Sequence, residues 1–294
     1  MHRRLFTRAL LVVFAAAAAF SQSKPAPKRA PQRIISTAPS LTEMLFALGL
    51  GDQIVGVDRF SHYPPEAKQK PQIGDYAAPN LEAIASMKPT LVVIPKNPVR
   101  LRERLEALRL NVLELEQESL SQIFQSFRKV GEATGVTSEA DRLIATTRQK
   151  LDAIHAKAAA SKPTRMIFVV GRSPNRLEGL TVVGGPSFLS ELIQIAGGDN
   201  VFKDTKAPYP QVTLEEVLSR NPDVIIDMGD MADTGAVTPE REKAAVNVWN
   251  RMPSISAVRN HRVYAIASDV FFVPGPRIVD AAQSFLTLLH PETK

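Results

Sequence analysis

Four short stretches join aromatic rings to proline-stiffened backbone. They are RFSHYPP (59–65), with Phe60, His62 and Tyr63; GDYAAPN (74–80), with Tyr76; APYPQ (207–211), with Tyr209 between Pro208 and Pro210; and ASDVFFVPGPR (267–277), with Asp269, Phe271, Phe272 and Arg277. Rings on stiff loops offer a large apolar contact area at small entropic cost, which suits a flat or bulky ligand. Aromatics make up only 6% of the chain, so their gathering in loops is a signal. The competing role for each ring is to plug a core.

Covalent chemistry finds little support. There is no phosphate-binding G-x-x-x-x-G-K-[ST] loop and no G-x-G-x-x-G after a strand. GLGDQIVG (49–56) has the wrong spacing and falls at a helix end, where a cap explains it. No G-x-S-x-G elbow occurs; Ser173 in GRSPN lacks the second glycine. The five histidines, His2, His62, His155, His261 and His290, are scattered without metal-ligand spacing, and there is no cysteine for thiol chemistry. The chain reads as a binder and not as an enzyme, with no catalytic residue, metal ligand or cofactor of its own. An exported hydrolase or lyase working in a cleft is the reading from a different class.

Around these loops, strand-like apolar runs alternate with helical periods. RIIST (33–37), QIVGVD (53–58), PTLVVIP (89–95) and NVLEL (111–115) read as strands. Between them lie helices at PSLTEMLFALGLGD (39–52), NLEAIASMK (80–88, capped by Asn80) and PVRLRERLEALRL (98–110). Gly49 and Gly51 stand where a left-handed cap belongs. A second half replays the order. TRMIFVVG (164–171) is a strand, and GPSFLSELIQIAGGD (185–199) is a helix closed by Gly197-Gly198. TLEEVLSRN is a helix with a Thr213/Glu216 capping box. PDVIIDMG and HRVYAIA are strands, with helices near 240–250 and over PRIVDAAQSFLTLLH. Strands alternating with helices imply parallel sheets. The fold class is therefore α/β, with two Rossmann-like lobes, the first at 33–120 and the second at 163–294. Residues 121–162 between them carry no strand signal and read as a helical link, with a long helix over 138–160; GEATGVTS leaves its continuity open. Two lobes on one helical link leave a cleft, and ligands of open α/β sheets bind at the carboxyl ends of the strands.

The first 21 residues read as an export signal. Arg3, Arg4 and Arg8 precede the apolar run ALLVVFAAAAAF (9–20), which is too short to cross a bilayer, and small residues follow for cleavage after Ser21 or Ala19. An uncleaved anchor is the competing reading. Without cysteine there is no site for lipid attachment, so the expected location is the periplasm, with the mature protein free of the membrane. Residues 22–32, QSKPAPKRAPQ, form an extended linker. The net charge of +6 sits in these two segments. Removing their six basic residues leaves 30 basic and 30 acidic residues, so a sequence pI near 9.6 is no argument for nucleic-acid binding.

Export signal, duplicated α/β lobes and helical link resemble the helical-backbone class (class III) of periplasmic binding proteins, which serve ABC importers of vitamin B12, iron–siderophores and haem. The resemblance covers residues 33–290. STAPSLTEMLFALGL, VGVDRFSHYPPEA, NLEAIASMKPTLVV, NVFKD, PYPQVTLEEVL and SD…PGPRI are similar to the vitamin B12 (corrinoid)-binding branch. It implies a cobalamin or another corrinoid as transported ligand, with Phe60, Tyr76, Tyr209, Asp269 and Phe271 at ligand-binding positions. Tyr76 and Tyr209 stand where that branch commonly has tryptophan, Phe60 where it has tyrosine, and Val273 where it can carry an arginine. Two alternatives belong to the same class. A haem carrier would use Tyr76 as iron ligand, although Asp75 separates it from Gly74. A ferric-siderophore carrier would use basic residues such as Arg59, Arg172 and Arg176.

One echo bears on a partner. Leu81, Glu82, Ser86 and Pro89 repeat as Leu214, Glu215, Ser219 and Pro222, each at an offset of 133. A carboxylate in a helix's first turn complements the helix dipole, which accounts for either glutamate alone. The resemblance implies more: Glu82 and Glu215, one per lobe, dock the protein as a monomer onto an inner-membrane ABC permease dimer with its ATPase.

Overall fold

The computed structural model of the protein describes residues 32–75, 77–96, 100–229 and 238–293. The export segment, most of the linker and Tyr76 lie outside them. Residues 32–294 form one compact unit.

The first lobe is a four-stranded parallel sheet. β1 (Ile34–Ser36), β2 (Ile54–Val57), β3 (Leu91–Pro95) and β4 (Val112–Leu115) stand in the order β2-β1-β3-β4. Helices α1 (Pro39–Ala47), α2 (Leu81–Ser86) and α3 (Leu101–Ala107) make the crossovers. The strands are apolar on both faces because both are covered. Ile34 and Val93 enter one cluster, while Ile35, Val92 and Ile94 enter another with Leu101 and Leu105.

The second lobe is a mixed sheet, a refinement of the parallel expectation. β5 (Thr164–Gly171) is its spine. It pairs in parallel with β9 (Val224–Asp227) and β7 (Gly198–Asn200), and antiparallel with β6 (Leu180–Val182). β8 (Gln211–Val212) and β10 (Val263–Ala265) complete the edges. Helices α6 (Phe188–Ile195), α7 (Leu214–Arg220), α8 (Pro239–Trp249), α9 (Ser256–Arg259) and α10 (Ile278–Leu289) pack around it.

The link is two helices. α4 (Leu120–Thr134) has a full capping box at Ser119 and Gln122, and it ends at Gly135 in the left-handed conformation. α5 (Thr137–Ala158) then folds back along it. Gly131 permits the contact: a Cβ there would stand 2.7 Å from the Cβ of Ala140. α5 has 22 residues, about 33 Å at the ordinary rise, and packs against α6 and α10. One apolar cluster runs without a break from Ile34 and Leu45 through Phe127 and Leu151 to Phe168 and Phe285. The two lobes therefore share a core across the link. Among the described residues, no helix is long and apolar enough to cross a membrane.

Candidate functional site

The parallel strands of the first lobe end on one edge. β1 leads into Ala38-Pro39-Ser40 at the start of α1, β3 ends at Pro95 and Lys96, and β4 runs into Glu116-Gln117-Glu118. These residues form one wall of a cavity of about 570 Å3. The other wall comes from the second lobe: Ser187 and Phe188 at the start of α6, Pro208 and Tyr209, and Phe272-Val273-Pro274. Both helix starts carry a Pro-Ser pair, but at different positions: Pro39-Ser40 open the first turn of α1, whereas Ser187 of Pro186-Ser187 is the N-cap of α6.

Three hydrogen bonds stitch the floor. Ser40 Oγ donates to Gln117 Oε1 at 2.8 Å, and Gln117 Nε2 donates across the lobes to the Pro274 carbonyl at 2.7 Å. The Phe188 amide donates to the Glu118 carbonyl at 2.6 Å, which satisfies a donor that the first turn of α6 leaves open.

Among the described residues lining the cavity, the charges are Lys96, Glu116 and Glu118. Lys96 Nζ pairs with Glu116, whose other oxygen accepts from Gln122 Nε2 at 3.2 Å. The contact raises the pKa of Lys96 and lowers that of Glu116. Among the described lining residues there is thus no unpaired cation and one excess negative charge. Tyr209 keeps 41% of its surface exposed. Partial burial, with the nearby Glu118 charge, pushes its pKa up to about 12. The phenol stays protonated and can both donate and accept.

The expected ligand residues separate. Tyr209 lines the cavity. Phe60 is 45% exposed, outside the lining, with the Arg59 guanidinium 4.7 Å from its ring centre. Asp269 is bound to Arg277, with Oδ1 and Oδ2 accepting at 3.0 and 2.7 Å. These bonds hold its carboxyl below the usual range. Phe271 is buried at 3% exposure against Phe168 and Phe285 and is not part of the lining, whereas its neighbour Phe272 lines the cavity. Tyr76 falls outside the described residues. Glu82 and Glu215 are both exposed on the first turns of α2 and α7.

The cations that a siderophore carrier would need are engaged. Arg172 is buried, donating through Nε to Asp227 Oδ2 at 2.8 Å; Trp249 Nε1 donates to the same oxygen at 2.6 Å. Arg59 lies 3.5 Å from Asp75, and Arg176 3.6 Å from Glu178. Among the described residues, no three His, Cys, Asp or Glu side chains gather as metal ligands.

Sequence reading missed the anchor of the Phe60 loop. Asp58 Oδ1 accepts from the Phe60 amide at 3.2 Å and from Ser61 Oγ at 2.9 Å. Ser61 Oγ also lies 2.7 Å from Thr42 Oγ1, which donates to Ser36 Oγ at 2.8 Å. Burial raises the pKa of Asp58. The only hint was the polar run Ser36, Thr37, Ser40 and Thr42 in an otherwise apolar segment.

A family model described as "Periplasmic binding protein" matches residues 34–270. The vitamin B12-binding protein of Photorhabdus laumondii is 30% identical over 263 residues, 89% of each chain. A crystal structure of the periplasmic vitamin B12 binding protein of Vibrio cholerae superposes with a TM-score of 0.74 at 28% identity, covering 90% of this chain and 99% of that one. The S. aureus protein IsdE, solved complexed with heme, superposes with a TM-score of 0.69 at 25% identity, covering 88% of this chain and 99% of that one.

Proposed function

The chain belongs to the periplasmic binding protein family, and from that premise we propose that it is the substrate-binding protein of an ABC importer. It captures a corrinoid, a vitamin B12-like molecule, in the interlobe cleft and delivers it to an inner-membrane permease. The observation that carries this reading is the cleft itself. Tyr209, braced by Pro208 and Pro210, and Phe272 stand on its second-lobe wall, and its first-lobe wall offers amide and paired ionic groups in Gln117, Lys96 and Glu116. A corrinoid presents an apolar macrocycle edge fringed by amide arms. Rings match the edge; a glutamine and an ion pair match the arms. The ligand is bulkier than the cavity, so one edge enters between the lobes while Phe60 and Tyr63 meet the part that stays outside.

The charge balance separates this ligand from its rivals. Ferric siderophores and heme are commonly anionic, and the described lining residues hold an excess negative charge with Lys96 paired to Glu116. The cargo is carried without chemistry, and the protein works in the periplasm as a monomer. Exposed Glu82 and Glu215 each present a carboxylate to one half of a two-fold permease.

Calorimetric titration of the mature protein with cyanocobalamin, run beside hemin and a ferric siderophore, tests the assignment. A saturable heat and a rise in melting temperature with cyanocobalamin alone are expected. No heat and no shift with cyanocobalamin would sink it.

A further inference from the structure

Arg277 connects residues 234 positions apart in the chain. It lies in the second lobe at the start of α10, and its guanidinium reaches α1 of the first. Nε donates to Glu43 Oε2 at 2.9 Å, and Nη2 donates to Glu43 Oε1. The outer edge of the same group holds Asp269, through Nη1 at 3.0 Å and Nη2 at 2.7 Å. Its flat face lies 4.2 Å from the ring centre of Tyr63, on the first-lobe loop that also carries Phe60. The guanidinium therefore touches two first-lobe elements and one second-lobe loop at once.

The environment makes this contact directional. The Glu43 side chain is 2% exposed and that of Arg277 13%. Burial raises the Glu43 pKa, with the hydrogen bond from Arg277 opposing the rise. A carboxylate so enclosed is stable only with its partner in place, and the planar fork of arginine fits it in one orientation. Gly275 lets the chain come close: a Cβ there would lie 3.3 Å from the Ser40 carbonyl. Two residues before it, Val273 faces the cavity, as do Phe272 and Pro274. The Arg277–Asp269 pair ties the two ends of the ring-bearing loop, since Asp269 precedes that loop and Arg277 follows it, and the Glu43 contact anchors that tie to α1.

We propose that Arg277 is a positioning residue that latches the two lobes through Glu43 and Tyr63 and so sets the width of the cleft before any ligand arrives. The helical link and the shared core hold the lobes at one place, the Gln117–Pro274 and Phe188–Glu118 hydrogen bonds stitch the cavity floor, and the latch is a further tether. Separate tethers fix a spacing where one leaves a hinge. The consequence for binding rests on the proposed corrinoid reading, whereas the latch itself does not.

The absence of cysteine makes the test direct. Spin labels on Lys68→Cys in the first lobe and Lys206→Cys in the second, both exposed positions, report the interlobe distance without ligand. One narrow distribution is expected for the otherwise unaltered protein. Arg277→Gln should broaden it and shift it to longer distances, and Arg277→Lys, which keeps the charge and loses the fork, should fall between. If Arg277→Gln does not fold, Glu43→Gln is measured in the same way. Cyanocobalamin affinity should fall about tenfold in the glutamine variant, the cost of losing a preset cleft. A distribution that stays narrow and unshifted, whatever the fall in melting temperature, overturns the latch. A broadened distribution in a protein that never binds cyanocobalamin leaves the latch standing and removes the corrinoid.

Discussion

Phe168 and Phe271 meet edge to face, with ring centres 5.4 Å apart and planes at 77°. Phe285 closes the triangle at 5.5 Å from the first and 5.1 Å from the second. One strand, one 3-10 turn (Asp269–Phe271) and one helix each supply a ring. The turn explains why neighbours with the same side chain do opposite things. It directs Phe271 inward to β5 and α10 and leaves Phe272 37% exposed on the cleft wall.

The two phenylalanines should therefore give separable variants. Phe271→Ala removes a ring from a closed cluster and should lower unfolding stability by about 3–5 kcal/mol. Phe272→Ala should change stability by less than about 1 kcal/mol while weakening ligand binding. Denaturant unfolding and calorimetry on both variants measure the split. Equal stability losses would contradict it.

The buried Arg172–Asp227 pair predicts a large stability effect with a built-in probe. Trp249 is the sole tryptophan, fully buried, and donates to Asp227. Asp227→Ala leaves the guanidinium enclosed without its counter-charge, at a cost of about 3–5 kcal/mol. Arg172→Met combined with Asp227→Leu should cost less than Asp227→Ala alone, because no buried charge is stranded. Tryptophan fluorescence during urea unfolding reads both.

Much of this is legible in the sequence, and for local reasons. β5 occupies the eight residues of TRMIFVVG, Asn80 caps α2, and Thr213 with Glu216 forms the capping box of α7. Gly49 and Gly197 take the left-handed conformation after their helices. The repeat extends further than its letters: Lys88 and Asn221, equivalent positions of different type, both have positive φ, 47° and 41°. These features depend on nearest neighbours along the chain. Features that depend on distant partners were not legible. β6, β7 and β8 have three residues or fewer and exist because β5 and each other supply the hydrogen bonds. The reach of Arg277 to Glu43 and the bridge from Gln117 to Pro274 follow from lobe placement alone. The choice between Phe271 and Phe272 hangs on the phase of one short turn.

Lobe motion should be small. The central apolar cluster passes from the first sheet through α4 and α5 into the second without interruption, and opening a hinge there would expose apolar surface to water. Small-angle scattering with and without cyanocobalamin should show nearly the same radius of gyration. A marked compaction on binding would contradict a preset cleft.

Tyr209 gives a titration signature. Its pKa is raised from 10.0 to about 12, so the neutral phenol is favoured by the folded state. The corresponding stability is fully present below pH 10 and is lost as pH rises through about 12. Ultraviolet titration of tyrosinate should show a late step near 12, and Tyr209→Phe should remove it. A ligand seated on the ring should delay the step further, because it takes more water from the hydroxyl.

The paired glutamates give the test of delivery. Glu216 is committed to the capping box, its side chain accepting from the Thr213 amide at 2.8 Å, whereas exposed Glu215 beside it stands in the first turn without that duty. Glu82 holds the matching place on α2, where Asn80 does the capping. Replacing both by alanine removes two favourable helix-dipole contacts, about 0.3–1 kcal/mol each, too little to disturb the cleft. Ligand affinity in solution should stay near that of the parent protein. Uptake by cells or by permease-containing vesicles should fall sharply, and Glu216→Ala should instead lower stability with uptake per folded molecule retained. Lost affinity with normal uptake at saturating ligand would place these glutamates in the binding site and reverse the assignment.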